Sequence, residues 1–183
     1  FCDIPLAKVG GHMSHYGRYG IALDKHAIIN KFRVQPIHYM NPDSALVNDF
    51  KGAFSDYYNT GKKVHPEDKV LLNYLMGAIM YMKPISGMEK IEGEERPYVF
   101  QDECEWRYIP TENFPKDLKL ILAENAATEN AKSYYSKALL SHPETWIKFD
   151  WEDIRYIIVP DEVALKRIIE IIKELPLGDS QKY

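Results

Sequence analysis

The sequence predicts an α+β fold, a single mixed domain over residues 1–183 with a central sheet of sequence-distant strands and packed helices. Three observations carry that expectation. Apolar residues recur at helical spacing from Leu46 to Tyr58, from Val70 to Met82 and from Leu165 to Leu175. Tyr98 to Ile109 alternates with period two, the pattern of a strand. Ile154 to Val159 is a continuous apolar run with β-branched residues, the pattern of a buried strand. These strands lie far apart in the chain, so distant segments must build the sheet.

Taken in order, Pro5 with Leu6, Ala7 and Val9 predicts a helix start. Gly10 and Gly11 weaken that helix, and Gly17 closes it as a C-cap. Tyr19 to Leu23 reads as a short strand. Asp24 caps a helix over Lys25 to Lys31. Gln35 to Met40 is a second strand, interrupted by Pro36, which favours an edge or a strand start. Asn41-Pro42-Asp43-Ser44 is a turn and cap before the Leu46 helix, and Asn59-Thr60-Gly61 ends that helix. Pro66 opens the next, with Glu67 and Asp68 in the first turn, where the helix dipole favours acids. Pro84 stops it.

Ser86 to Pro97 is polar and charged, a loop or hairpin tip. In the strand that follows, period two places Tyr98, Phe100, Asp102, Cys104, Trp106 and Tyr108 on one face. Val99, Gln101, Glu103, Glu105, Arg107 and Ile109 share the other. Leu118 to Leu122 fits either element, and Thr128 to Leu140 reads as a helix. Pro160-Asp161-Glu162 opens the closing helix, which turns Leu165, Ile168, Ile169, Ile172 and Leu175 toward the core.

The composition, 45% apolar and 27% charged over 183 residues, is that of a globular chain. With 23 basic and 27 acidic residues the net charge is −4, and no long basic run is present. That argues against a dedicated duplex-binding domain, so no strong nucleic-acid signal is read. No apolar run approaches the ~20 residues that span a bilayer. The only cysteines, Cys2 and Cys104, form neither a C-x-x-C pattern nor a disulfide framework, so a reduced, cytoplasmic setting is expected. Cys104 is expected in the core. The chain opens at Phe1 rather than Met, and the native N-terminus is expected to lie upstream.

Two clusters are candidate sites. In the first, His12 and Tyr16 lie four apart and share a helix face. Gly17 and Gly20 flank Arg18 and Tyr19, a turn that could bring a guanidinium and bare amides to an anion. The plainer reading is a helix end leading into a strand. In the second, Glu103 and Glu105 sit beside Arg107 on one strand face. Lining a cleft, one carboxylate could be held by Arg107 while the other does chemistry or binds a cation. On a solvated face the three form only a charge ladder. Six scattered histidines offer no third ligand at metal spacing, so no metal site is expected. Neither a P-loop nor G-x-G-x-x-G nor G-x-S-x-G is present.

The stretches Phe1-Cys2-Asp3-Ile4-Pro5-Leu6, Tyr16-Gly17-Arg18-Tyr19-Gly20-Ile21 with His12, and Gln35-Pro36-Ile37-His38-Tyr39 resemble the opening of the AbiGi family. Asp102-Glu103-Cys104-Glu105-Trp106-Arg107-Tyr108, followed by Ile154-Arg155-Tyr156-Ile157-Ile158-Val159-Pro160, resembles its second half. The resemblance implies a part in bacterial abortive infection, as an antitoxin-type regulator of a partner toxin that is nucleotidyltransferase-like. It implies no cofactor.

A fainter similarity joins a strand Glu, a strand ending in Val-Pro and a terminal amphipathic helix to the DarT-type ADP-ribosyltransferases. That similarity implies an enzyme using NAD, with Glu105, or alternatively Glu103, as the catalytic carboxylate. His12 or Arg18 would then hold the ribose or pyrophosphate, and Tyr16 or Tyr19 would stack on nicotinamide. Arg107 completes the ligand-binding set.

Overall fold

The computed structural model of the chain describes residues 1–58, 68–91, 93–110, 114–116, 118–119, 121, 126 and 128–175. Backbone contacts divide it into two units, Phe1–Leu6 with Gln35–Arg107, and Ala7–Val34 with Tyr108–Tyr183. Among the described residues six helices and eight short strands are interspersed, a mixed α+β architecture in which the strands pair two by two.

In the first unit, β2 (Gln35–Pro36) pairs antiparallel with β7 (Trp106–Arg107), and β3 (His38–Met40) pairs parallel with β4 (Met82–Pro84). Pro36 splits the Gln35–Met40 strand into these two pieces. Phe1 and Asp3 run along the other side of β7: Asp3 N donates to Cys104 O, Trp106 N to Phe1 O, and Cys2 bridges Glu105. The Glu105 segment is thus central, since Ile37 N donates to Glu105 O from the β2 side.

The helices α3 (Ala45–Tyr58) and α4 (Lys69–Met80) pack against each other. The expected helix end at 59–61 and the Pro66–Glu67 start fall outside the described residues. The charged Ser86 stretch forms a regular hairpin, β5 (Ser86–Ile91) with β6 (Glu94–Val99). Gly93 turns it at φ 92°, a conformation that favours glycine. Among the described residues of this unit, Ile37, Leu75 and Phe100 are the buried apolar ones.

The expected strand from Tyr98 to Ile109 is broken. β6 ends at Val99, a 3-10 turn spans Phe100–Glu103, and Cys104 adopts φ 45° before β7 begins. The turn closes through Cys104 N donating to Gln101 O. Phe100 and Glu103 are its buried residues, and their spacing of three is the 3-10 period rather than the strand period. Asp and Glu supplied much of the alternation, and both are poor strand formers. Cys104, expected in the core, is exposed.

The second unit opens with α1 (Val9–Tyr16), which Gly17 ends at φ 101°. β1 (Gly20–Leu23) pairs antiparallel with β8 (Ile154–Ile158), Ile21 opposite Ile157. Between them in the chain, α2 (Lys25–Phe32) starts where the Asp24 carboxylate accepts from Ala27 N at 2.8 Å. Thr128 caps α5 (Glu129–Leu140), and Asp161 caps α6 (Glu162–Glu174), each accepting from an amide three residues on.

Two expectations shift here. β8 is not fully buried, because Arg155 and Tyr156 are exposed. On α6 the inward stripe is rotated: Ala164 is buried and Ile168, Ile172 and Leu175 are half-buried, while Leu165 and Ile169 are exposed. Among the described residues of this unit, the buried apolar set is Ile28, Val34, Leu118 and Ala164.

Candidate functional site

The most organised polar site lies in the first unit, where Glu103, Glu105 and Arg107 meet Lys83. The break at Cys104 brings Glu103 back to the same cation as Glu105. Lys83 Nζ donates to Glu103 Oε2 at 2.6 Å and to Glu105 Oε2 at 3.2 Å. It also lies 4.6 Å from the centre of the Phe100 ring, a cation–π contact. Arg107 grips the other Glu105 oxygen, Nε at 3.0 Å and Nη2 at 2.7 Å. Its Nη1 donates to Met80 O, a carbonyl at the end of α4 where the helix dipole welcomes a cation.

Two tyrosines complete the network. The Tyr39 hydroxyl accepts from Glu105 N at 2.7 Å, and the Tyr98 hydroxyl is hydrogen-bonded to Glu103. Burial pushes both phenols up, and the neighbouring carboxylates add to the shift. For Lys83, burial acts downward, but hydrogen bonds to Glu103 and Glu105 outweigh it and hold its pKa above the usual lysine range.

The Glu103 side chain is only 5% exposed, and those of Lys83 and Glu105 are 21% exposed. Charges this deep are kept only when paired. Both Glu105 oxygens and the Lys83 ammonium are engaged, so the arrangement can fix chain segments to one another. Among the described residues no buried side-chain nitrogen or oxygen lacks a partner.

The first cluster lies in the second unit. His12 and Tyr16 share a face of α1 with ring centres 4.4 Å apart, and His15 meets Tyr16 edge-on at 4.5 Å. Arg18 donates to Pro160 O at 3.1 Å. Tyr16 and Tyr19 are exposed. The structure thus joins His12 with Tyr16, and separately joins Glu103, Glu105 and Arg107. The two sets belong to different units.

Sequence reasoning missed Lys83 and Tyr39, and it missed a second ionic network altogether. In the second unit, Lys31 Nζ pairs with Asp153 at 2.7 Å and Asp150 at 3.2 Å, and Arg155 Nη2 pairs with Asp24 at 2.6 Å. Asp24 N donates to Asp153 O, which links the two pairs. Asp150 and Asp153 also form a reciprocal capping box around the 3-10 turn Trp151–Asp153. The D-x-x-D spacing of that box was the one available signal. Among the described residues no group of three or more His, Cys, Asp or Glu could hold a metal ion. None of the described helices is long and apolar enough to cross a membrane.

A family model described as "Putative abortive phage resistance protein AbiGi, antitoxin" matches residues 1–160. A relative from Lactococcus lactis subsp. cremoris, named "Abortive phage resistance protein AbiGi", is 30% identical over 194 residues, covering 97% of this chain and 77% of the relative. No solved structure matches the chain. Both matches describe one class of protein, that of abortive phage resistance. Within that class, the chain belongs to the AbiGi family.

Proposed function

We propose that this chain acts in bacterial phage defence as an antitoxin-type regulator, binding and restraining a partner toxin in the cytoplasm. The observation that carries the reading is family membership over most of the chain, through a family model whose description includes "antitoxin". The nucleotidyltransferase-like nature of the toxin belongs to the same proposal and comes from the family resemblance. Two features of the chain support a binding role. The paired charges around Glu105 serve to hold a scaffold rather than to leave a carboxylate open for chemistry. The large apolar side chains Met88 and Val99 stand exposed on one face of the β5–β6 hairpin, as a protein-binding surface requires.

The test is co-expression with the product of the neighbouring gene in a bacterial host. The chain should restore growth that the toxin alone arrests, and the two proteins should co-elute. Growth arrest unrelieved by the chain, with no complex at micromolar concentration, overturns the reading. NAD turnover that Glu105→Gln abolishes without loss of thermal stability would favour the transferase resemblance instead.

A further inference from the structure

Helix α6 carries more apolar surface than its packing uses. Ala164 is buried and Ile168, Ile172 and Leu175 are half-buried, so this side of the helix packs inward. Leu165 and Ile169 continue the apolar arc beyond it and stay 45% and 42% exposed. Residues three and four apart on a helix are surface neighbours, so Leu165 and Ile169 form one open ridge, which Ile172 extends.

A charged row runs beside that ridge, on the side away from Ala164. Glu162, Lys166, Glu170 and Lys173 follow one another at spacings of four, four and three, which keeps them on one flank. All four are exposed. Their signs alternate along the helix, acid, base, acid, base. Turned end to end, such a row is its own complement, and acid meets base at every position. A partner surface of a single charge sign would match only half of it.

A two-fold contact makes that turn, because the same patch serves both copies. In an antiparallel helix pair each flank also meets the same flank of the other helix. With the two-fold axis beside Arg167 and Ile168, Glu162 faces Lys173 of the second copy and Lys166 faces its Glu170. Leu165 faces Ile169 in the same arrangement. These contacts share one register to within a single residue, a rise of ~1.5 Å. Each is made twice.

We propose that the Leu165–Ile169 ridge of α6 is the docking surface for a second copy of this chain, laid antiparallel and fixed by the Glu162–Lys173 and Lys166–Glu170 pairs. The ridge excludes water between the copies, and the charged row sets their direction. The contact is one helix of 13 residues on each side, which suits a dimer that dissociates on dilution.

The test follows the full chain by sedimentation velocity across a concentration series. Wild type should pass from monomer to dimer, and Ile169→Asp should raise the dissociation constant by at least about 10-fold. Lys166→Glu with Lys173→Glu turns the row wholly acidic and should give a monomer. Glu162→Lys with Glu170→Lys turns it wholly basic and should do the same. Mixed together, these two charge variants should form a heterodimer, which keeps the proposal testable if Ile169→Asp fails to fold. Val163→Asp, on the opposite side of α6, should dimerise as the wild type does. A wild type that stays monomeric at all concentrations overturns the proposal. So does a dimer that both Ile169→Asp and the charge variants leave intact, or a mixture of the charge variants that stays monomeric. A monomeric wild type whose binding to the neighbouring gene product is lost in Ile169→Asp would assign the ridge to that partner and overturn the proposal.

Discussion

Two ionic networks among the described residues are built from the same residue types and differ in depth. In the first unit, Lys83, Glu103, Glu105 and Arg107 are mostly shielded, and the ammonium rests on an aromatic ring. In the second, only Asp153 is buried, while Lys31, Asp150 and Arg155 face water. The shielded network cannot lose a member without stranding a charge, whereas the open one can hand its charges to solvent. The first therefore behaves as a cornerstone of its unit, and the second as a set of reinforced caps.

The largest expected effect follows from that contrast. Lys83→Ala removes the ammonium that buried Glu103 and Glu105 share. Breaking such a pair typically costs about 3–5 kcal/mol. Urea denaturation of the variant should show that loss. A change below about 1 kcal/mol, the range of exposed pairs, would move this network into the open class.

The Phe100 floor gives the next test. Gly87→Ala places a methyl 2.9 Å from the ring, where the ring itself must move. Overpacking of this kind costs about 1–3 kcal/mol. Tyr98 packs edge-on against that ring with centres 5.5 Å apart, so the aromatic signals of Phe100 and Tyr98 should shift together. If stability and those signals both stay at wild-type values, the ring does not seat the hairpin.

Acid should act on the open network. The Ala27 amide and the Arg155 guanidinium hold Asp24 below the usual 3.8, and Lys31 with the Asp150 amide does the same for Asp153. Carboxyls lowered in the folded state contribute stability above their unfolded value, and that contribution is lost as pH falls through the lowered values. The protection of the Ala27 amide, its exchange relative to an unstructured amide at the same pH, should therefore fall as pH drops below about 3.8. Lys83 and Lys31 are raised, so their contribution persists up to the usual lysine value of 10.5 and is lost above it. Ala27 protection that stays flat through the acid range would remove the linkage.

The contrast also explains what could be read from the chain alone. Asp24 and Asp161 were legible as caps, because a cap bonds an amide three residues on and needs only local sequence. Gly17 was legible for the same reason. The pairing of Glu105 with Arg107 spans two residues, and it too was in view. Lys83 lies twenty residues before Glu103, and Lys31 over a hundred before Asp153. Nothing local marks such partners. The break at Cys104 was hidden because alternating polarity also fits a 3-10 turn followed by a bridge. The rotated stripe of α6 was missed because Leu165 and Ile169 extend an apolar arc wider than the packed strip.

The smallest effect belongs to the ion pair at the hairpin tip, the extreme of the open class. Glu94 and Arg96 are 71% and 54% exposed in their side chains, at a contact of 2.7 Å. A short distance alone would suggest strength, but water screens the pair and both side chains lose entropy in holding it. Exposed pairs are worth about 0.2–1 kcal/mol, and many contribute nothing measurable. Arg96→Ala should leave the denaturation midpoint within about 0.5 kcal/mol of wild type. A loss near that expected for Lys83→Ala would mean that distance, not depth, sets the strength of ion pairs in this protein.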